Sequence, residues 1–119
     1  MNWLAVFIGG GLGSVLRYGV TLWSKSWSLN IVVGTFVSNV LASLILALVF
    51  FGVFKNISSG SPMFLFLAVG VAGGFSTFST FSMENVLLMK DGHPYLALLN
   101  IVVNVVVCFA LIWFVSKRV

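Results

Sequence analysis

The chain has 119 residues, 61% of them hydrophobic and 7% charged, with a mean hydropathy of +1.18; that composition excludes an ordinary soluble domain and leaves no room for a soluble enzyme. Its net charge of +4 comes from six Lys and Arg residues against two acids, the basic residues scattered over loops and ends with only Lys117 and Arg118 adjacent, which excludes the clustered basic patch of a nucleic-acid binder. What remains is an integral membrane protein, a single transmembrane domain over residues 1–119, built from apolar stretches of about 20 residues that each cross a ~30 Å hydrocarbon core.

The first predicted helix covers residues 3–23 and carries one charge, Arg17. It lacks the basic start and small-residue cleavage pattern of a secretory leader, so it reads as a retained span. The second covers residues 31–54 and closes at Lys55. Pro62 introduces the third, residues 63–89, which ends in the polar turn Lys90, Asp91, Gly92, His93, Pro94. The fourth covers residues 95–115, before Lys117 and Arg118. Trp3, Trp23, Trp27, Tyr95 and Trp113 fall near span ends, where amphipathic rings favour the interface. Cys108 is the only cysteine, so an intrachain disulfide is excluded.

Four spans put both termini on one side, with Lys55, Lys117 and Arg118 against Arg17, Lys25 and Lys90 on the other. An even split of three and three gives no positive-inside bias, and insertion in both orientations follows, with copies able to pair antiparallel. If Arg17 lies too deep to count, a weak bias toward one orientation is the competing reading.

Several polar residues lie inside the spans. Thr35, Asn39 and Ser43 recur every fourth residue on one face of the second helix, as do Asn100, Asn104 and Cys108 on the fourth. An unpaired amide in hydrocarbon is costly, so these stripes face either other helices, as hydrogen-bonding glue, or a wet path. Gly9 and Gly13, and Gly34, Ser38 and Ala42, have the spacing of close helix packing.

The segment GGFSTFSTFSME, Gly73 to Glu84, joins a glycine pair to five hydroxyl residues and three phenylalanines. It reads as a break in the third helix near residues 73–76, tolerable at membrane depth only where protein buries it or a cavity adjoins it. Beyond the break, Phe78 and Phe81 share one face. Aromatic edges and hydroxyl donors suit a small anion that must not be trapped, and free carbonyls suit a hard cation. Glu84 is the only acid within a span, read either as a partner of Arg17 or a hydrogen-bonded group, or as a proton-coupling carboxylate. Arg17 either snorkels to the interface or concentrates anions in a vestibule.

GGGLGSVLRY at Gly9–Tyr18, GTFVSN at Gly34–Asn39 and GGFSTFSTFSME together resemble the Fluc/CrcB fluoride channels of bacteria, over essentially the whole chain. The resemblance implies an all-α membrane protein with a broken third helix, paired as an antiparallel, dual-topology homodimer in the bacterial plasma membrane. It implies two fluoride pores and a structural Na⁺ held by the main-chain carbonyls of Gly73 and Ser76 from both copies. Phe78 and Phe81 correspond to the pore phenylalanines and Asn39 to the pore amide, with Thr77 and Ser79 close to the pore and Arg17 in a vestibule. Asn104 and Cys108 complete the expected pore wall from the fourth helix, Cys108 standing where a hydroxyl is usual. Ser38, Ala42 and Ser76 also depart from the usual motifs, which carry valine, glycine and threonine there. Some family members pair two different chains. The competing functional class is a small proton-coupled multidrug exporter, but such exporters carry their membrane glutamate in the first helix, where this chain has none.

Overall fold

The computed structural model describes residues 1–27 and 31–118. Among these, four helical segments are long and apolar enough to cross a membrane, in an all-helical order. Helix α1 is Asn2–Ser26 and α2 is Ile31–Phe51. The third crossing consists of α3, residues 62–75, and α4, Phe78–Lys90. Helix α5 is Pro94–Lys117. The long dimension of the molecule, 47 Å, exceeds a ~30 Å hydrocarbon core and leaves the helix ends in the headgroup region.

Local chemistry accounts for the boundaries. Helix α2 stops at Phe51 rather than at residue 54: the Gly52 N–H makes a last helical bond to the Leu48 carbonyl, and the Phe54 N–H returns to that same carbonyl instead of to Phe50. Ser61 caps α3 by accepting from the Phe64 N–H at 3.2 Å, with Pro62 in the first turn, where its missing N–H costs nothing. The middle of α3, Leu65–Ala72, is wound as a π-helix. Helix α4 ends in a glycine turn: Gly92 takes φ of +82°, and His93 N–H returns to the Leu88 carbonyl at 2.8 Å. Pro94 then starts α5.

The break in the third crossing lies at Ser76 and Thr77, both extended, with ψ of 156° and φ of −151° respectively. The glycine pair is helical: Gly73 has φ −65° and ψ −40°. Its value is close approach. An added Cβ on Gly74 would lie 2.5 Å from the Gly10 carbonyl oxygen, and one on Gly13 would meet the backbone of Val71, Gly74 and Phe75. Gly9 faces the backbone of Phe66, Gly70 and Val71 in the same way. Helices α1 and α3 therefore touch backbone to backbone, the packing that small residues every fourth position allow in a membrane.

Helix α2 packs against α1 and α5, and α4 against α5. Where these helices meet, the interior is largely small or polar, with Val49, Val71, Phe75 and Phe81 as its larger apolar members. Ala42, Ala47, Ala68, Ala72 and Ala97 are buried, together with Thr35, Ser38, Thr77, Glu84, Asn85, Asn100 and Asn104. Large side chains such as Phe7, Val15, Leu98 and Phe109 are exposed. This distribution suits a solvent as apolar as leucine, in which packing and hydrogen bonds join helices.

Candidate functional site

The helix break is built by side chains. Thr77 leaves helical geometry and caps α4, its hydroxyl accepting from the Thr80 N–H at 3.2 Å. Its own N–H donates across to Asn39 Oδ1 on α2 at 2.9 Å. That N–H is the donor which an uninterrupted helix would give to the Gly73 carbonyl. Thr77→Val is expected to cost about 1 kcal/mol through the lost cap, read as a lower unfolding midpoint in detergent, with Thr77→Ser restoring it.

Around the break lies an open cavity of about 270 Å³, lined by Asn39 and Ser43 from α2, Ser76, Thr77, Phe78 and Phe81 from the break and α4, and Asn104, Val105 and Cys108 from α5. Of the residues expected from sequence along a pore, Asn39, Thr77, Phe78, Phe81, Asn104 and Cys108 meet here. Ser79 stands beside them, its hydroxyl 3.4 Å from that of Thr77. The Phe78 and Phe81 ring centroids are 5.8 Å apart. Phe81 is 8% exposed and anchored in the interior, whereas Phe78 is 80% exposed. Phe75, the first ring of the repeat, is buried outside this cavity.

Asn39 Nδ2 donates to Asn104 Oδ1 at 3.3 Å, and Asn104 Nδ2 donates to Asn100 Oδ1 at 2.8 Å and to the Asn100 carbonyl at 3.1 Å. Asn100 Nδ2 donates to Asn85 Oδ1 at 2.9 Å, and Asn85 Nδ2 to the Phe81 carbonyl at 2.9 Å. The stripes divide by position, and Asn39 and Asn104 also join α2 to α5. Asn39, Ser43, Asn104 and Cys108 line the cavity, while Asn100 lies behind it as interhelical glue. Sequence reasoning overlooked Asn85, because it follows the end of the hydroxyl-phenylalanine motif. Its signal was a spacing of four from Phe81, on the same side of the helix.

The two charged groups within the spans do not pair. Thr35 Oγ1 donates to Glu84 Oε1 in a short buried hydrogen bond. Arg17 Nη1 instead donates to the Ser76 carbonyl at 3.4 Å. This supports the hydrogen-bonded reading of Glu84, and it places Arg17 at the edge of the cavity, beside a residue that lines it. Gly73 and Ser76 share a smaller open cavity of about 140 Å³ with Ala42, Ser43, Leu46, Ala68 and Ala72.

The family model described as CrcB-like protein, Camphor Resistance (CrcB), matches residues 4–115. The chain is 35% identical to the fluoride-specific ion channel FluC of Coxiella burnetii strain CbuK_Q154, covering 95% of this chain and 93% of that protein. It is 40% identical to FluC of Shewanella pealeana over 94% of this chain and 90% of the relative. Against FluC 2 of Bacillus subtilis strain 168 the identity is 41%, over 97% of this chain and 87% of the relative. With a family-model match over residues 4–115 and relatives 35–41% identical over 94–97% of its length, the chain belongs to the CrcB family.

Proposed function

We propose that this chain is a fluoride-selective channel, a transporter rather than an enzyme, which lets cytoplasmic fluoride leave passively and so confers fluoride resistance. One observation carries the reading: amide and hydroxyl donors converge with two phenylalanines on a membrane-depth cavity whose walls bear no fixed charge. Fluoride is small and strongly hydrated, so its passage requires donors that replace water. Asn39, Thr77 and Ser79 supply such groups, and the positive ring edges of Phe78 and Phe81 add weaker attraction. A cationic wall would hold the anion; neutral donors let it move on. Arg17 at the rim raises the local anion concentration without blocking the route. Fluoride entering as the weak acid HF dissociates inside, and the trapped anion then leaves down its gradient.

The functional unit is two copies in antiparallel orientation. The even division of Lys and Arg between the two sides supports dual insertion. The outward-facing ring of Phe78 supports a second copy, which would complete the wall that one copy leaves open. Gly73 and Ser76 suit the family's structural Na⁺. They share one open cavity and carbonyl oxygens suit a hard cation; the Gly73 carbonyl has lost its helical donor to Asn39, whereas the Ser76 carbonyl would have to exchange the Arg17 guanidinium for the ion. Bound there by both copies, Na⁺ would supply a fixed positive charge at the junction. The multidrug-exporter reading fails on Glu84, which is 4% exposed, bonded to Thr35 and absent from the cavity wall.

The test is fluoride efflux from liposomes, followed with a fluoride electrode. Wild type should release fluoride and retain chloride; the reverse preference would refute the proposal. Phe78→Ile and Phe81→Ile should each slow efflux by about tenfold or more, the effect of roughly 1.4 kcal/mol at the barrier. Dimer elution should be unchanged for Phe78→Ile.

A further inference from the structure

We infer that Ser43 is a further donor to the permeating anion, one helical turn beyond Asn39; the inference rests on the fluoride reading above. Four crossings alternate in direction, so α2 and α5 run the same way. Asn39 Nδ2 donates to Asn104 Oδ1 at 3.3 Å, which sets the two helices level at that pair. One turn further along each helix, about 6 Å on, stand Ser43 and Cys108, and both line the same cavity as the two amides. The wall that α2 and α5 share is therefore built as two rungs, one of amides and one of a hydroxyl with a thiol.

The protein itself makes no use of the Ser43 hydroxyl. A helical serine or threonine ordinarily bonds back to its own helix. Thr21 donates to the Arg17 carbonyl at 3.1 Å and Ser24 to the Thr21 carbonyl at 2.9 Å, and Ser26 and Ser116 reach the carbonyl three residues back in the same way. Ser43 is half-buried and makes no such bond, and its hydroxyl has no other partner among the described residues. The amide rung, by contrast, is largely committed: Asn104 Nδ2 donates twice to Asn100, and Asn39 spends one N–H on Asn104. On the second rung a thiol is a weak donor, so the strong one is the Ser43 O–H. An anion leaving the free Asn39 N–H meets that O–H one turn on. Closely spaced sites of moderate strength are what conduction requires.

Ser43→Ala should slow fluoride efflux from liposomes by about tenfold, the scale of one hydrogen bond to a charged group. Its unfolding midpoint in detergent should not fall, since the hydroxyl holds nothing in the folded chain and alanine favours a helix. Ser43→Gly should slow efflux to a similar degree while lowering the midpoint, because glycine weakens a helix. Efflux would then follow the hydroxyl rather than the stability. Adding Cys108→Ser to Ser43→Ala returns a full hydroxyl to the same rung and should bring efflux back to within about threefold of wild type. Wild-type efflux from Ser43→Ala, a slowing that tracks the midpoint across the alanine and glycine variants, or no recovery in the double variant would each overturn the inference. Failure of Ser43→Ala to assemble would do the same, by showing a structural role. A conducting wild type beside an equally conducting Ser43→Ala removes only the role of Ser43, whereas a wild type that passes no fluoride removes the fluoride reading and this inference with it.

Discussion

Asn39→Ala is expected to slow fluoride efflux by at least about a hundredfold, equivalent to roughly 2.7 kcal/mol at the barrier. The amide has three tasks: it accepts from the Thr77 N–H, donates to Asn104, and offers its remaining N–H to the cavity. Alanine removes all three. The Thr77 N–H would then be a buried donor at membrane depth with no partner, a penalty of about 1–3 kcal/mol, relieved only by closing the break or admitting water. Asn39→Asp separates structure from conduction, since its carboxyl oxygen can still accept from Thr77 while a negative charge on the wall would repel an anion. Both variants should fail to conduct, and Asn39→Asp should retain more of the thermal stability. Wild-type efflux from a properly assembled Asn39→Ala protein would refute the role assigned to this residue.

The second large effect is structural. Gly13→Ala should cost about 1–3 kcal/mol or more and sharply reduce the yield of folded protein. Its Cβ would fall against the Val71 carbonyl, 2.8 Å from the Phe75 nitrogen and 3.0 Å from the Gly74 carbonyl carbon, all of them backbone atoms that no rotamer change can move aside. Helix α1 would have to back away from α3 just before the break, loosening the Ser76 carbonyl from Arg17 and disturbing the cavity. Gly11→Ala is the control: an added Cβ there meets nothing within 4 Å, and alanine favours a helix over glycine by about 1 kcal/mol. Thermal unfolding and size exclusion in detergent would read both. Equal stability of the two variants would show that the α1–α3 contact is not the tight junction described here.

The contrast between Gly13 and Gly11 also shows what could be read from residue order. Spacing of four pointed to Gly9 and Gly13 as packing positions, and their neighbours are indeed backbone atoms. The same kind of reading put the break near residues 73–76, of which Ser76 alone is extended. A glycine pair looks like a place for a helix to unwind, yet Gly73 is helical and Gly74 serves close approach to Gly10. What interrupts the helix is Thr77, whose hydroxyl caps α4 and whose N–H turns to Asn39, 38 residues away in sequence. No local pattern encodes that partner.

From residue order alone came the four apolar crossings, the balance of charge about them, and the face shared by Phe78 and Phe81. These follow from the thickness of a bilayer, the cost of moving charge through it and the pitch of a helix, all of which act on neighbouring residues. The packed helices settled the partners: Arg17 with the Ser76 carbonyl, Glu84 with Thr35, and Asn85 within the amide chain. In hydrocarbon each buried polar group must find a partner, and the nearest one usually stands on another helix. Which one that is depends on how closely glycine lets the backbones meet, a distance that exists only after the chain has folded.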